Sequence, residues 1–318
     1  MSNMLKGKKV LVTGGAGFIG SHIVDGLIKI GAEVVVLDNL VSGKLENISH
    51  NFDKIRFIKK DLTDDQALDE ALEGVEFISH QAALRSVPKS VELPFDYHQV
   101  NVTGTLKLFL KSRDKGIKRI AFASSSSVYG ERSDFPEREA DLAKPISPYA
   151  ATKLMGEHYA YIFKKLYNLE VVSLRYFNVF GPRQSLENQY AVVVPKFINC
   201  LLNNEKPPIY GDGNQERDFT YVENVVEANI LALTKEGVGG EVFNVASGIP
   251  QSVNNLLKEL KEITGKSIDP VYLDLRLGDV EKTHADIDKL RKLLGCSPKV
   301  KFRQGLEKTA AWFSNIKK

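Results

Sequence analysis

The sequence predicts an α/β fold: a doubly wound parallel sheet followed by a smaller α/β portion. Three observations point there. Over residues 8–181, short apolar runs alternate with helical patterns. The apolar runs are nearly continuous rather than alternating, as strands buried on both faces require. The first run ends in a glycine-rich turn that opens directly into a helix.

Each element can be justified in order. "KKVLVTGG" (8–15) reads as a buried strand, and "SHIVDGLIKIGA" (21–32) as a helix with apolar residues at helical spacing and a stop at Gly31. "EVVVLD" (33–38) and "KIRFIKKDL" (54–62) read as strands, "ALDEALEGV" (67–75) as a helix and "VEFISHQAA" (75–83) as a strand. "YHQVNVTGTLKLFLKSRDKG" (97–116) predicts one long helix ending at Gly116, and "IKRIAFASSSS" (117–127) the next strand. A helix over 147–168 and a strand over 169–181 complete the alternation. Residues 182–220 are rich in Pro, Asn, Gln and Gly, with one helix-like stretch at 193–205. A helix at 221–237 and a strand at 241–247 follow, and shorter elements are expected to finish the chain.

Bulk properties exclude several classes. With 318 residues and 43% hydrophobic content, the chain can bury a sizeable core. No apolar run reaches the ~20 residues of a membrane-spanning helix. The opening "MSNMLKGKK" runs quickly into a strand, so no signal peptide is expected. Net charge is only +3, with no basic block of the kind that binds nucleic acid. Cys200 and Cys296 are far apart and read as unpaired thiols of a reducing compartment, with no metal site. The expectation is a cytoplasmic protein with neither membrane nor nucleic-acid partners.

Two constellations carry chemistry. "VTGGAGFIGSH" sets Gly14, Gly17 and Gly20 at G-x-x-G-x-x-G spacing between a strand and a helix. Such a turn lets backbone approach a pyrophosphate, which the helix N-terminus then receives. Asp38 ends the second strand, where a carboxylate accepts from a ribose diol and repels a 2′-phosphate. Together they point to a Rossmann site for NAD rather than NADP. Further on, "SPYAATK" places Tyr149 and Lys153 four apart, on one face of a helix. A nearby ammonium favours the phenolate of a tyrosine that ordinarily titrates near pH 10. The serine run 124–127 lies at the carboxyl end of a strand, where ligands of open α/β sheets gather.

"TGGAGFIG", "SSSSVYG" and "YAATK" together resemble the extended short-chain dehydrogenase/reductase family. From Lys8 to about Phe313 the chain resembles its nucleoside-diphosphate-sugar 4-epimerases, through "HQAALRSVPKSVELP" (80–94), "LRYFNVFGPRQ" (174–184), "IYGDGNQERDFTYVENV" (209–225) and "LRLGDVEKTHAD" (275–286). The resemblance implies an NAD-binding domain at 1–176, to which about 218–247 return, and a UDP-sugar-binding domain at 177–318. It makes Ser125, four residues before the tyrosine of "VYG", the catalytic serine, Tyr149 the base, and Lys153 the residue that lowers the tyrosine pKa and holds the nicotinamide ribose. Phe18 and Ile19 would line the pyrophosphate site with the glycines. Asp38 and Asn39 would hold the adenosine ribose, Asp61 and Leu62 the adenine, Gln81, Ala82 and Ala83 the cofactor backbone, and Tyr176 the nicotinamide. On the substrate side it implies Ser86, Ser125, Ser126, Asn178, Arg217, Arg276, Asp279 and Thr283.

The reaction implied is inversion at C4 of a UDP-hexose. Tyr149 takes the 4-hydroxyl proton while hydride passes to NAD; the 4-keto sugar turns, and hydride returns to its other face. Ser126 and Ser127 stand where dehydratases of the family carry an acid pair, and the glutamate common in its decarboxylases is missing, which disfavours both reactions. Glucuronate 4-epimerases share a serine-rich version of the motif and stay open. Thr283 stands where glucose/galactose enzymes of the family carry a tyrosine, which hints at UDP-GlcNAc/UDP-GalNAc, with UDP-Glc/UDP-Gal accepted too. By analogy, helices 97–116 and 147–168 would pair two copies into a homodimer. A non-catalytic NAD-binding protein and a simple NADH-consuming reductase are the other readings; the presence of Ser125, Tyr149 and Lys153 speaks against the first.

Overall fold

The structure, a computed structural model, describes residues 4–186, 193–274 and 280–316. Its first part runs β1 (Lys9–Thr13), α1 (Phe18–Lys29), β2 (Glu33–Leu37), β3 (Ile55–Ile58), α2 (Asp65–Ala71) and β4 (Phe77–His80). There follow α3 (Val87–Glu92), α4 (Pro94–His98), a π-helical turn over Gln99–Gly104, α5 (Thr105–Asp114), β5 (Arg119–Ser125), α6 (Pro148–Tyr167) and β6 (Glu170–Tyr176). Later come α7 (Val193–Leu202), α8 (Val222–Thr234), a strand at Val242–Val245, α9 (Val253–Thr264) and α10 (Phe302–Ile316).

Seven strands form one sheet in the order Val242–Val245, β6, β5, β4, β1, β2, β3. Every neighbouring pair is parallel. The expected doubly wound α/β sheet is therefore present. Its strands read KVLVT, EVVVL and FISH and are buried nearly throughout, because helices cover both faces. One apolar cluster lies under α1 and α8, a second under α2, α5 and α6. A third gathers around Phe180 from α7, α9 and α10. No described helix is long and apolar enough to cross a membrane.

The sheet positions the site. From β1 the chain winds outward through β2 and β3; from β4 it winds the other way through β5 and β6. The connections leave the carboxyl ends of β1 and β4 in opposite directions, and a crevice opens there. Helix α6 begins at the same end of the sheet. Ser147 caps it by accepting from the Ala150 N–H, and Pro148 fixes its first turn.

Some elements differ from expectation. The single helix expected at 97–116 is α4, the π-helical turn and α5 in succession. Helix α3 forms inside the 80–94 motif, where Pro88 at the start of the helix and the Ser86 cap start a short turn that periodicity alone does not show. The end of the chain is not a set of short elements: α9 and α10 are helices of 12 and 15 residues. Their apolar residues are sparse among Lys and Glu, yet Leu256, Leu257 and Leu260 of α9 and Leu306, Ala310 and Phe313 of α10 form one buried stripe each.

Candidate active site

The cleft between the β1 and β4 ends is lined by Gly14, Gly17, Phe18, Ile19, Gly20, Asp38, Asn39, Asp61, Leu62, Gln81, Ala82, Ala83, Tyr149, Lys153 and Tyr176. The structure thus brings together every residue that the sequence assigned to the cofactor. The glycine turn is sterically required. Gly14 has φ +70°, and a Cβ there would stand 2.7 Å from the Ala82 nitrogen. A Cβ on Gly20 would stand 2.1 Å from the Gly14 carbonyl oxygen. Helix α1 starts at Gly17 with no side-chain cap and no acidic residue in its first turn. Its N–H groups and positive dipole end remain available to an anion.

At the end of β2, where the sequence expects adenosine, Asp38 is buried. Its two carboxylate oxygens accept from the Ala16 N–H at 2.9 Å and the Leu40 N–H at 2.8 Å. Burial pushes its pKa up and these two hydrogen bonds pull it down. Each oxygen keeps a lone pair for a ribose hydroxyl. Asp61 accepts from the Thr63 N–H and hydroxyl and from Asn39. Burial opposes its charge, but these donors outweigh it and hold its pKa below the usual carboxylate range. The uncapped helix, the glycine cradle and the buried acid fit a dinucleotide with a free 2′-hydroxyl, as in NAD.

At the other end lie two tyrosines with different prospects, Tyr176 buried and Tyr149 half-buried. The Tyr176 hydroxyl donates to Gln81 Oε1 at 3.1 Å and accepts from Asn229 Nδ2 at 2.8 Å. Its proton is committed, and burial pushes its pKa up. Tyr149 instead has the Ser125 hydroxyl as the neighbour that favours its phenolate. Burial pushes its pKa up as well, while the Ser125 bond and the Arg85 charge pull it down. Lys153 donates to the Ala123 carbonyl at 2.8 Å and stands 6.0 Å from the Tyr149 ring centroid. Burial lowers its own pKa to about 8. The expectation that Lys153 depresses the tyrosine pKa thus meets a stronger opposing effect, desolvation, which Ser125 and the Arg85 charge only partly counter.

Behind the cleft, His80 links its walls. The Thr105 hydroxyl donates to the Asn101 carbonyl at 2.6 Å, so it accepts from His80 Nε2–H at 2.9 Å. Nδ1 then accepts from Thr13 at 2.6 Å, one residue before the glycine turn. Burial and the Lys153 charge lower the His80 pKa to about 3, so this ring is neutral.

The substrate-side residues are less concentrated. Ser125 closes β5 and accepts from the Ser127 N–H at 3.2 Å; Ser126 begins the tight turn after it. The Ser86 hydroxyl caps α3 by accepting from the Lys89 N–H. Asn178, at φ +34°, donates from Nδ2 to Thr283 Oγ1 at 3.0 Å. That oxygen also accepts from the Asp218 N–H at 3.1 Å. Arg217 donates to the Glu216 and Glu281 carbonyls. None of these six residues lines the cofactor cleft. Arg276 and Asp279 lie outside the described residues. Sequence reasoning missed Arg85, Ser42, Gly43 and Lys60, which line the cleft. Arg85 sits inside the quoted 80–94 motif, and Ser42–Gly43 is a turn signal just after Asp38, so both were within reach.

Comparison with known proteins agrees with this geometry. Residues 10–246 match the NAD dependent epimerase/dehydratase family. The solved UDP-N-acetylglucosamine 4-epimerase from Methanobrevibacter ruminantium M1, in complex with UDP-N-acetylmuramic acid, is 45% identical with a TM-score of 0.94, covering 98% of this chain and 99% of that one. The UDP-glucose 4-epimerase from Thermotoga maritima, with UDP-glucose, is 41% identical with a TM-score of 0.93, covering 98% and 100%. A variant of the UDP-glucuronic acid 4-epimerase from Bacillus cereus, with NAD and a fluorinated UDP-glucuronic acid, is 32% identical with a TM-score of 0.90, covering 97% and 99%. The chain belongs to the NAD dependent epimerase/dehydratase family, as an NAD-dependent enzyme on the branch of its UDP-sugar 4-epimerases.

Proposed function

We propose that the protein inverts C4 of a UDP-hexose, with the UDP-GlcNAc/UDP-GalNAc pair favoured and UDP-Glc/UDP-Gal also accepted. The observation that supports this is the Tyr149–Ser125 hydroxyl pair at the end of a dinucleotide cleft, with Lys153 beside it. Bound NAD supplies the reversible two-electron step at C4, taking hydride and giving it back. The residues supply the proton chemistry. Tyr149 removes the C4 hydroxyl proton, with Ser125 bridging the two oxygens. Arg85 and Lys153 stabilise the phenolate, and after the 4-keto sugar has turned Tyr149 returns a proton to the oxygen. The reading against elimination of water rests on the serine turn. Glu157 meets Ser124 there, but Arg175 holds it in a two-pronged ion pair, so it is not a free acid.

Thr283 supports the acetamido substrates. Its small side chain packs against Asn178 where a tyrosine would reach further. The hydroxyl-rich run Ser124–Ser127 supports a second reading, a UDP-glucuronate 4-epimerase, since hydroxyls can receive a carboxylate. Incubation with UDP-GlcNAc, UDP-Glc and UDP-GlcA side by side, without added reductant, tests both. UDP-GalNAc should form fastest. If none of the three substrates equilibrates with its C4 epimer, the epimerase reading falls.

The division of labour we infer is NAD binding by residues 1–176 with about 218–247, and UDP-sugar binding by 177–318. In its favour, Val242–Val245 pairs with β6, while α7, α9 and α10 share an apolar cluster of their own. We also infer a cytosolic homodimer. Met155, Ile162 and Leu166 repeat along one face of α6 and are exposed, as is Phe95 of α4. Light scattering behind a sizing column would return the mass of one chain if that is wrong.

A further inference from the structure

A buried ion pair touches the cleft wall without belonging to the proton chemistry. Tyr149, Lys153 and Glu157 follow one another at four-residue intervals on α6, which sets them in one stripe. Arg175 of β6 stands opposite Ser124 of β5 in the sheet register. Its guanidinium donates from Nε to Glu157 Oε1 at 2.9 Å and from Nη2 to Oε2 at 2.7 Å. Both side chains are at most 5% exposed. The guanidinium carbon lies 4.6 Å from the Tyr129 ring centroid, and the Tyr129 hydroxyl donates to Asn244. The carboxylate and the ring hold the pair in place, while Arg175 Nη1 is buried without a hydrogen-bond partner. Its one outlet to the cleft is Ser124, whose hydroxyl donates to Glu157 Oε1.

A hydroxyl has one proton, and an ionised carboxylate has none to offer in return. The direction of the Ser124–Glu157 bond is thus fixed, and only lone pairs of Ser124 are left for the cleft. Ala123, its neighbour, already gives its carbonyl to Lys153. Ser124 lines the cleft next to the carbonyl that holds Lys153, beside Tyr149, and so away from Asp38 and Asp61, the end we assign to adenosine. We propose that Glu157 and Arg175 are positioning residues that set the polarity of Ser124, which then serves as an obligate acceptor for an N–H or O–H donor on the nicotinamide half of the dinucleotide. This rests on NAD occupying the cleft and not on which sugar is turned over.

The rate at which NAD leaves the holoenzyme tests it, read without any sugar substrate. Ser124→Ala should release NAD roughly tenfold faster, the scale of one lost hydrogen bond. Competition by ADP, which carries only the adenosine half, should be unchanged. Replacing the pair together (Glu157→Leu with Arg175→Met) removes it without stranding a buried charge. That variant should melt close to the parent yet release NAD several-fold faster. Adding Ser124→Ala to it should bring no further acceleration beyond Ser124→Ala alone, because the residues act through one hydroxyl. If the paired replacement does not fold, Glu157→Gln serves instead: its amide can donate to Ser124 and turn the proton toward the cleft, again speeding release. Parental release from Ser124→Ala, an equal loss of ADP binding, or multiplied effects in the triple variant would overturn the assignment.

Discussion

The end of the cleft at Asp38, which we assign to adenosine, and the end at Tyr149, which we assign to catalysis, are built on opposite plans. At the adenosine end both acids are met by the protein's own donors: Asp38 by two backbone N–H groups, Asp61 by Thr63 and Asn39. At the catalytic end Lys153 is buried on the Ala123 carbonyl and Tyr149 is half-buried, and desolvation pushes both toward their neutral forms. The first plan recognises a ligand by fixed shape and charge. The second leaves Lys153, lowered to about 8, near the pH at which it changes charge, while Tyr149 holds its proton until positive charge beside it favours the phenolate.

The largest expected effect lies at the catalytic end. Tyr149→Phe should lower kcat by about 10²–10⁴, the range of a general acid–base group, while the holoenzyme keeps its NAD absorbance. A loss of NAD in parallel with activity would mean that Tyr149 is part of the fixed plan instead. Next comes Gly20→Ala. The new methyl meets the Gly14 carbonyl oxygen, so the turn must shift, with an overpacking cost of about 1–3 kcal/mol. NAD content after purification should fall sharply and the melting temperature should drop. Retention of NAD would show that the cradle is looser than its spacing implies.

Smaller effects sit away from both ends. Thr283→Val removes the acceptor of Asn178 Nδ2 and the Asp218 N–H, worth about 1–3 kcal/mol when buried donors are stranded. The KM for UDP-sugar should rise while NAD binding holds, and Thr283→Tyr should lose acetamido substrates selectively. Equal activity of Thr283→Tyr on both substrate pairs would remove Thr283 as the gate. The smallest is a pH effect. The His80 pKa is lowered from its ordinary 6.5 to about 3, so between those values the unfolded chain binds a proton that the folded chain refuses. Stability is therefore lost as pH falls below 6.5, by about 1.4 kcal/mol per pH unit. The stability gap between the parent and His80→Asn should narrow from pH 7 to pH 5.5; a constant gap would mean that the folded ring takes up its proton at the ordinary pKa.

The same contrast explains what could be read in advance. The glycine turn and Asp38 were legible from the residues because their signals are local, each within a few positions of a strong strand signal, whereas the loop after β4 and Asp61–Leu62 entered only through the family resemblance. Tyr149 and Lys153 were legible as a helical pair. Arg85 was not, since a charge in a loop has no periodicity and only folding sets it beside Tyr149. The sugar side joins distant segments: Asn178 meets Thr283, and Asp218 receives the N–H groups of Ser247, Gly248 and Ala285. No spacing rule reports such contacts. The π-helical turn at Gln99–Gly104 escaped for a related reason, as its apolar pattern is that of an ordinary helix.

The strand Val242–Val245 has a consequence for synthesis and for engineering. It pairs with β6 although more than sixty residues separate the two. While the chain emerges from the ribosome, β6 is an open edge until that distant segment arrives, and open edges invite pairing with other chains. A truncation at residue 176 would make that edge permanent, so a transplantable nucleotide-binding unit has to carry residues 222–245 with it.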